Sequence, residues 1–230
     1  MTPPHVPLKK IKALVSRLSH AYPDAGTELR YNTPIQFVVA AILSAQCTDK
    51  RVNIVTEPLF KIYKTASDFA QLAEEELGVH IRSCGLYKSK AKNIIACMKK
   101  IVHDFNGNIP CTRKELLALP GIGEKVANVI LIELFHEPAF PVDTHVFRIA
   151  RRLGLSHAKT PSGVEKDLTA LFDKKVWIPL HHQIIFHGRR TCSARNPQFE
   201  SCPLKEYCCQ YADNGVPCRT AHTKSQKKSE

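Results

Sequence analysis

At 230 residues the chain has enough length for one large core or two modest ones. Lys and Arg exceed Asp and Glu by 33 to 21, a net charge of +12. Such a surface attracts polyanions and repels copies of itself, so a monomer with a nucleic-acid partner is expected, against a plain solvated basic surface as the alternative. No apolar run approaches the ~20 residues that a bilayer-spanning helix needs, which excludes that class of membrane protein. The opening MTPPHVPLKK also lacks the apolar core of a secretory signal, so a cytoplasmic protein with no membrane partner is expected.

The apolar periodicity is helical from end to end. Leu8, Ile11, Leu14, Val15 and Leu18 recur at three- and four-residue steps and predict a first helix. Pro34 then opens a second, in which Ile35, Val38, Val39, Ile42 and Leu43 form one face, although FVVAAIL has a composition that suits a buried strand. A third run, Ile94, Ile95, Met98, Ile101, Val102 and Phe105, stops at Asn106-Gly107. After the helix-like TRKELLA and a glycine turn, VANVILIELF predicts a helix buried along Val126, Val129, Ile130 and Leu134, with Lys125 and Asn128 on another face. Val146, Ile149, Ala150 and Leu153 repeat the pattern in VFRIARRLG. No alternating stretch bounded by hairpin signals and no fixed-period repeat appears, so the fold class is all-α. Beyond about residue 212 the composition turns polar, and the closing AHTKSQKKSE predicts a disordered tail.

Of the nine cysteines, Cys47, Cys84, Cys97 and Cys111 are dispersed, whereas Cys192, Cys202, Cys208, Cys209 and Cys218 crowd the C-terminus. A late cluster in a chain without a signal points to metal ligation in a reducing compartment rather than to disulfides.

The chemistry concentrates in Leu119-Pro120-Gly121-Ile122-Gly123-Glu124-Lys125. Two glycines around one apolar residue make a tight hairpin between helices. The amides of Gly121, Ile122 and Gly123 then lie at a helix N-terminus, where amides and dipole attract a DNA phosphate without reading sequence. By itself the same GxG also suits an ordinary αα-hairpin. Lys125 falls in the first turn of the second helix, where the dipole disfavours an ammonium and favours a neutral amine able to attack an anomeric carbon. Taken alone it reads as a solvated surface lysine. Farther on, Asp143 in Phe140-Pro141-Val142-Asp143-Thr144-His145 is placed as an N-cap. A carboxylate there could also take up the lysine proton and stabilise positive charge developing on a sugar.

LPGIGEKVANVIL together with PVDTHVFRIARRLGL resembles the endonuclease III branch of the helix-hairpin-helix DNA glycosylases. The resemblance runs from about residue 8 to about residue 210 and is carried as well by LSAQCTDKRVN, CGLYKSKAKNI and HHQIIFHGRRTCSARNPQ. It implies a six-helix barrel over residues 27–137, and a second helical domain from residues 1–26 and 138–212 that carries a cysteine-rich loop, with DNA between them. It implies that Lys125 attacks C1′ of a damaged nucleotide in duplex DNA, expels an oxidised pyrimidine, and nicks the abasic strand by β-elimination through a Schiff base. Asp143 assists, Gln46 fills the space left by the flipped nucleotide, and Leu86 wedges into the stack. Without the resemblance Gln46 reads as an ordinary polar helix residue and Leu86 as core.

The family carries a [4Fe-4S] cluster on four cysteines spaced C-x6-C-x2-C-x5-C, and here the matching positions are Cys192, Phe199, Cys202 and Cys208. The second ligand is missing. Cys209 and Cys218 are the candidate replacements, which leaves a cluster with a rearranged fourth ligand, a three-cysteine cluster, or none. The spacings lack the paired C-x2-C knuckles usual for zinc. Two other functions compete: a monofunctional mismatch glycosylase, and a non-catalytic helix-hairpin-helix DNA-binding module. Lys125 argues against the first, and its pairing with Asp143 against the second.

Overall fold

Thr33 and Pro34 show how this sequence starts a helix: the threonine is extended, its hydroxyl accepts the amide of Gln36, and proline occupies the first turn. Thr48, Thr65, Thr112 and Thr160 do the same for the amide three residues on, and the Thr65–Asp68 pair closes a full capping box. In a computed structural model that describes residues 8–208, these threonines start five of the eleven α-helices. In chain order they are α1 (Leu8–Ala21), α2 (Pro34–Leu43), α3 (Asp49–Ile62), α4 (Ala66–Ala70), α5 (Glu74–His80) and α6 (Tyr87–Phe105). Then follow α7 (Arg113–Leu117), α8 (Glu124–Phe135), α9 (Thr144–Arg152), α10 (Pro161–Leu171) and α11 (Trp177–Arg190). No strand occurs among the described residues, as the helical periodicity requires. None of these helices is long and apolar enough to cross a membrane. Cys209, Cys218 and the polar tail lie outside the described residues.

The chain folds as two compact units, Thr27–Ala139 and the two flanking segments Met1–Gly26 with Phe140–Glu230. In the first unit α2 is the central element. Every residue from Ile35 to Leu43 is buried, Gln36 included, so the helix has no solvent face. That explains the strand-like composition of FVVAAIL: a helix enclosed on all sides needs no polar stripe. It packs against α3, α6 and α8, while α6 also carries α4 and α5. Phe37, Phe69, Leu77, Ile94 and Met98 are fully enclosed in this core. Each contributes about 1.5–3 kcal/mol by leaving water. As expected, α6 ends at Asn106-Gly107, where both residues are left-handed and the Gly107 amide closes on the Ile101 carbonyl at 3.0 Å.

α8 departs from the expected stripe. Ala127, Asn128, Ile130, Leu131 and Ile132 are buried, whereas Val126, Val129 and Leu134 are only half-buried. With α2 on one side and α7 on another, the covered sector is rotated and Asn128 lies inside it. A three- and four-residue count gives the period of such a face but not its phase. In the second unit α11 packs on α1 and α9, and α9 on α10, around Leu14, Leu18, Phe140, Val146 and Ile184.

Candidate active site

The hairpin joins α7 to α8 through residues 118–123. Leu119 and Ile122 are buried and anchor the turn in the core, and the Ile122 amide donates to the Leu119 carbonyl at 3.2 Å. Of the three amides expected to face a phosphate, that of Ile122 is therefore used inside the turn. Gly121 has φ +80°, and a Cβ built there would stand 2.9 Å from Asn93 Cβ on α6. Its glycine is required twice, by conformation and by space. Gly123 is extended and has nothing within 4 Å of a built Cβ. It begins α8 with no side-chain cap, unlike the threonine-started helices. The first-turn amides of α8 are thus left for an outside acceptor.

Lys125 is the second residue of α8 and is exposed. Its neighbour Glu124 is held by Arg113 of α7, whose Nε donates to the carboxylate at 3.0 Å, so the two arms of the hairpin are pinned beside the lysine.

Gln46 and Leu86 occupy two turns of the same unit, and both are left-handed, with φ +53° and +59°. Gln46 is exposed in the turn after α2 rather than within a helix, and Leu86 is 61% exposed at the head of α6 rather than in the core. Leucine in this conformation costs on the order of 1 kcal/mol. The turns adjoin: a Cβ built on Gly85 would lie 3.7 Å from the Gln46 carbonyl. The structure therefore brings together two strained, solvent-facing residues that nothing in their local sequence pairs.

Beneath them is a residue that sequence reasoning passed over. Lys90, four residues after Leu86, is only 4% exposed, and its Nζ donates to the Leu43 carbonyl at the end of α2, at 2.9 Å. Burial lowers its pKa, and the adjacent Cys47 and Cys84 partly oppose that shift. The only sequence signal was its place in CGLYKSKAKNI, where a lysine reads as surface.

Asp143 belongs to the second unit and caps α9. Its Oδ1 accepts the amides of His145 at 2.9 Å and Val146 at 2.8 Å, while Oδ2 takes no part in the cap. One carboxylate oxygen thus serves the helix, and the other is outside the cap. His145 in turn is pushed down, chiefly by burial and then by Arg148 and Arg189 against the opposing charge of Asp143.

In the same unit, Cys192, Cys202 and Cys208 line one cavity with Phe199, His187 and Arg152. Its volume is ≈ 20 Å³, room for about one water. Arg152 is buried and organises the loop: it donates to Cys192 Sγ at 3.1 Å, to the Ser193 carbonyl at 2.8 Å and to the Ala194 carbonyl at 3.1 Å. Arg148 adds a bond to the Cys192 carbonyl at 3.0 Å. Burial pushes the Cys202 thiol up, and buries His187 until its pKa falls to about 4. Among the described residues no three His, Cys, Asp or Glu side chains converge to hold a metal ion. Cys192, Cys202 and Cys208 supply three of the four thiolates that such a cluster takes, Phe199 stands at the family's second position, and Cys209 and Cys218 lie outside the described residues. Arginine hydrogen bonds tie this loop to α9.

Residues 39–174 match the HhH-GPD superfamily of base excision DNA repair proteins. Endonuclease III of Rickettsia felis is 46% identical over 189 residues, 82% of this chain and 89% of its own. Endonuclease III of Bacillus subtilis is 44% identical over 202 residues, 87% of this chain and 92% of its own. The structure of a non-covalent endonuclease III–DNA complex superposes with a TM-score of 0.85 at 41% identity, covering 89% of this chain and 96% of that one. A glycine hairpin opening an uncapped helix, and relatives this similar over nearly their whole length, place the chain in the endonuclease III family of helix-hairpin-helix base excision repair proteins.

Proposed function

We propose that Lys125 is the nucleophile with which this bifunctional DNA glycosylase and abasic-site lyase removes oxidised pyrimidines from double-stranded DNA. The observation that carries the reading is an exposed lysine in the first turn of an uncapped helix, directly after a hairpin whose Gly123 leaves backbone open to a phosphate. The amine nitrogen bonds to C1′ and the base leaves with its bonding electrons and a proton. The nitrogen lone pair then forms the C=N bond of an open-chain Schiff base as the C1′–O4′ bond breaks and O4′ takes a proton. Loss of a C2′ proton then breaks the 3′ C–O bond, which is the strand nick. Asp143 takes up a lysine proton and supports positive charge on the sugar, through the carboxylate oxygen its cap does not use.

Gly121 and Gly123 contribute backbone to phosphate binding, and Ile122 holds the turn by its buried side chain. Gln46 and Leu86 act on the opened duplex, where an exposed apolar wedge compensates for lost stacking. The partner is a damaged or abasic duplex, bound by a monomer. No step above passes through the [4Fe-4S] cluster that family resemblance implies. A cluster on Cys192, Cys202 and Cys208 would take a fourth thiolate from Cys209 or Cys218.

Borohydride reduction in the presence of abasic-site DNA tests the assignment. A covalent protein–DNA adduct is expected, absent in Lys125→Ala and formed more slowly in Asp143→Asn. An undiminished adduct in Lys125→Ala overturns the assignment.

A further inference from the structure

Behind the Gln46 and Leu86 turns lies a group of side chains that the glycosylase chemistry leaves unused. Cys47 follows Gln46, Cys84 precedes Gly85, and Cys47 is near enough to help push the Cys84 thiol up. Cys84 is fully enclosed, its amide bonded to the Ile81 carbonyl at 2.9 Å, whereas Cys47 is half-buried, its amide on the Ser44 carbonyl at 3.1 Å. The backbones converge at the same place, with the Gln46 carbonyl 3.7 Å from a Cβ built on Gly85. The buried Lys90 ammonium interacts with both sulfurs and is itself fixed on the Leu43 carbonyl. A partly accessible sulfur beside a fixed cation, with a second sulfur on the adjoining turn, is the arrangement in which a thiol is oxidised and then resolved by its neighbour.

We propose that Cys47 and Cys84 form a reversible disulfide when the protein meets hydrogen peroxide, and that this bridge pins the Gln46 turn to the Leu86 turn. The Cys47 sulfur attacks a peroxide oxygen, the O–O bond breaks, and sulfenic acid and water result. The Cys84 sulfur then attacks the Cys47 sulfur, the S–O bond breaks, and hydroxide leaves with the Cys84 proton as a second water. The two thiols are oxidised, the peroxide is reduced, and a dithiol reductant reverses the change. The order follows from access, because Cys84 is enclosed and burial with the neighbouring Cys47 pushes its thiol up to about 11. Cys97, buried and pushed up to about 12, stays inert. The bridge fixes both turns in the left-handed conformations they hold without DNA, so it slows base release. That consequence, unlike the bridge itself, rests on the reading of Gln46 and Leu86 as DNA-facing.

Peptide mapping by mass spectrometry after peroxide treatment and alkylation tests the bridge, with exposed Cys111 as the internal standard of alkylation. A linked Cys47–Cys84 peptide is expected in the otherwise unaltered protein, lost with dithiothreitol and absent in Cys47→Ala. The rate of base release from a damaged duplex is expected to fall several-fold on oxidation and to recover on reduction. Free thiols, or sulfinic acid on Cys47 without a linked peptide, overturn the proposal, as does a linked peptide with an unchanged rate. The DNA-facing reading is tested apart from this in the fully reduced protein, where it fails if Leu86→Ala releases base at the full rate.

Discussion

The two hairpin glycines look equivalent in sequence, and alanine at each separates folding from DNA binding. At Gly121 an alanine must keep φ near +80° and place a Cβ 2.9 Å from Asn93 Cβ. The left-handed conformation costs about 1–2 kcal/mol for an L residue. Overpacking against the stiff end of a side chain on α6 adds about 1–2 kcal/mol. The total of roughly 2–4 kcal/mol lowers Tm by roughly 4–16 °C for a chain of this size. At Gly123 the backbone is extended and the space is open, so alanine there should leave Tm within a degree or two of the parent. In the proposed mode of binding the same methyl group would, however, stand where a phosphate approaches the uncapped amides of α8, and DNA affinity should fall by about tenfold, roughly 1.4 kcal/mol. Differential scanning calorimetry and fluorescence anisotropy with an abasic-site duplex, run on both variants, measure the two effects. The reasoning is refuted if Gly121→Ala melts with the parent, or if Gly123→Ala binds DNA with unchanged affinity.

Leu86→Gly should raise stability by up to about 1 kcal/mol, because glycine relieves the left-handed strain and an exposed side chain gives up little burial. The same variant should release base more slowly, and a lowered Tm would contradict the strain argument. Phe199→Cys returns the family's second thiol to the cavity lined by Cys192, Cys202 and Cys208. Iron and sulfide analysis of protein prepared without oxygen should show more of both per chain in the variant than in the parent, and equal content would show that Phe199 does not stand in a ligand's place. Asp68 accepts the amides of Lys64 at 2.8 Å and Thr65 at 2.9 Å, which hold its carboxyl below the ordinary value. Since the folded value is the lower one, its contribution is present above the unfolded value and is lost as pH falls through the folded one. Asp68→Asn should therefore flatten the acid side of the stability–pH curve, and an unaltered slope in urea titrations below pH 5 would rule this out.

The sequence by itself determined the helical class, the hairpin, the Asp143 cap and the position of Lys125. Each of these depends on a short stretch of chain: the three- and four-residue period, two glycines, or a carboxylate before a helix. The threonine caps at Thr33, Thr48, Thr65, Thr112 and Thr160 came from the structure, although each acts over only three residues. Tertiary structure alone decided which sector of α8 is covered, and so the burial of Asn128, because the phase of a stripe depends on where α2 and α7 press. It also decided that Leu86 is an exposed, strained residue and Lys90 a buried one, reversing what their hydropathies suggest. Finally, it brought Cys47 to Cys84 and let Arg152 fill the cysteine loop with hydrogen bonds. Contacts between residues far apart in the chain depend on how packed helices route the backbone, and no local pattern encodes that route.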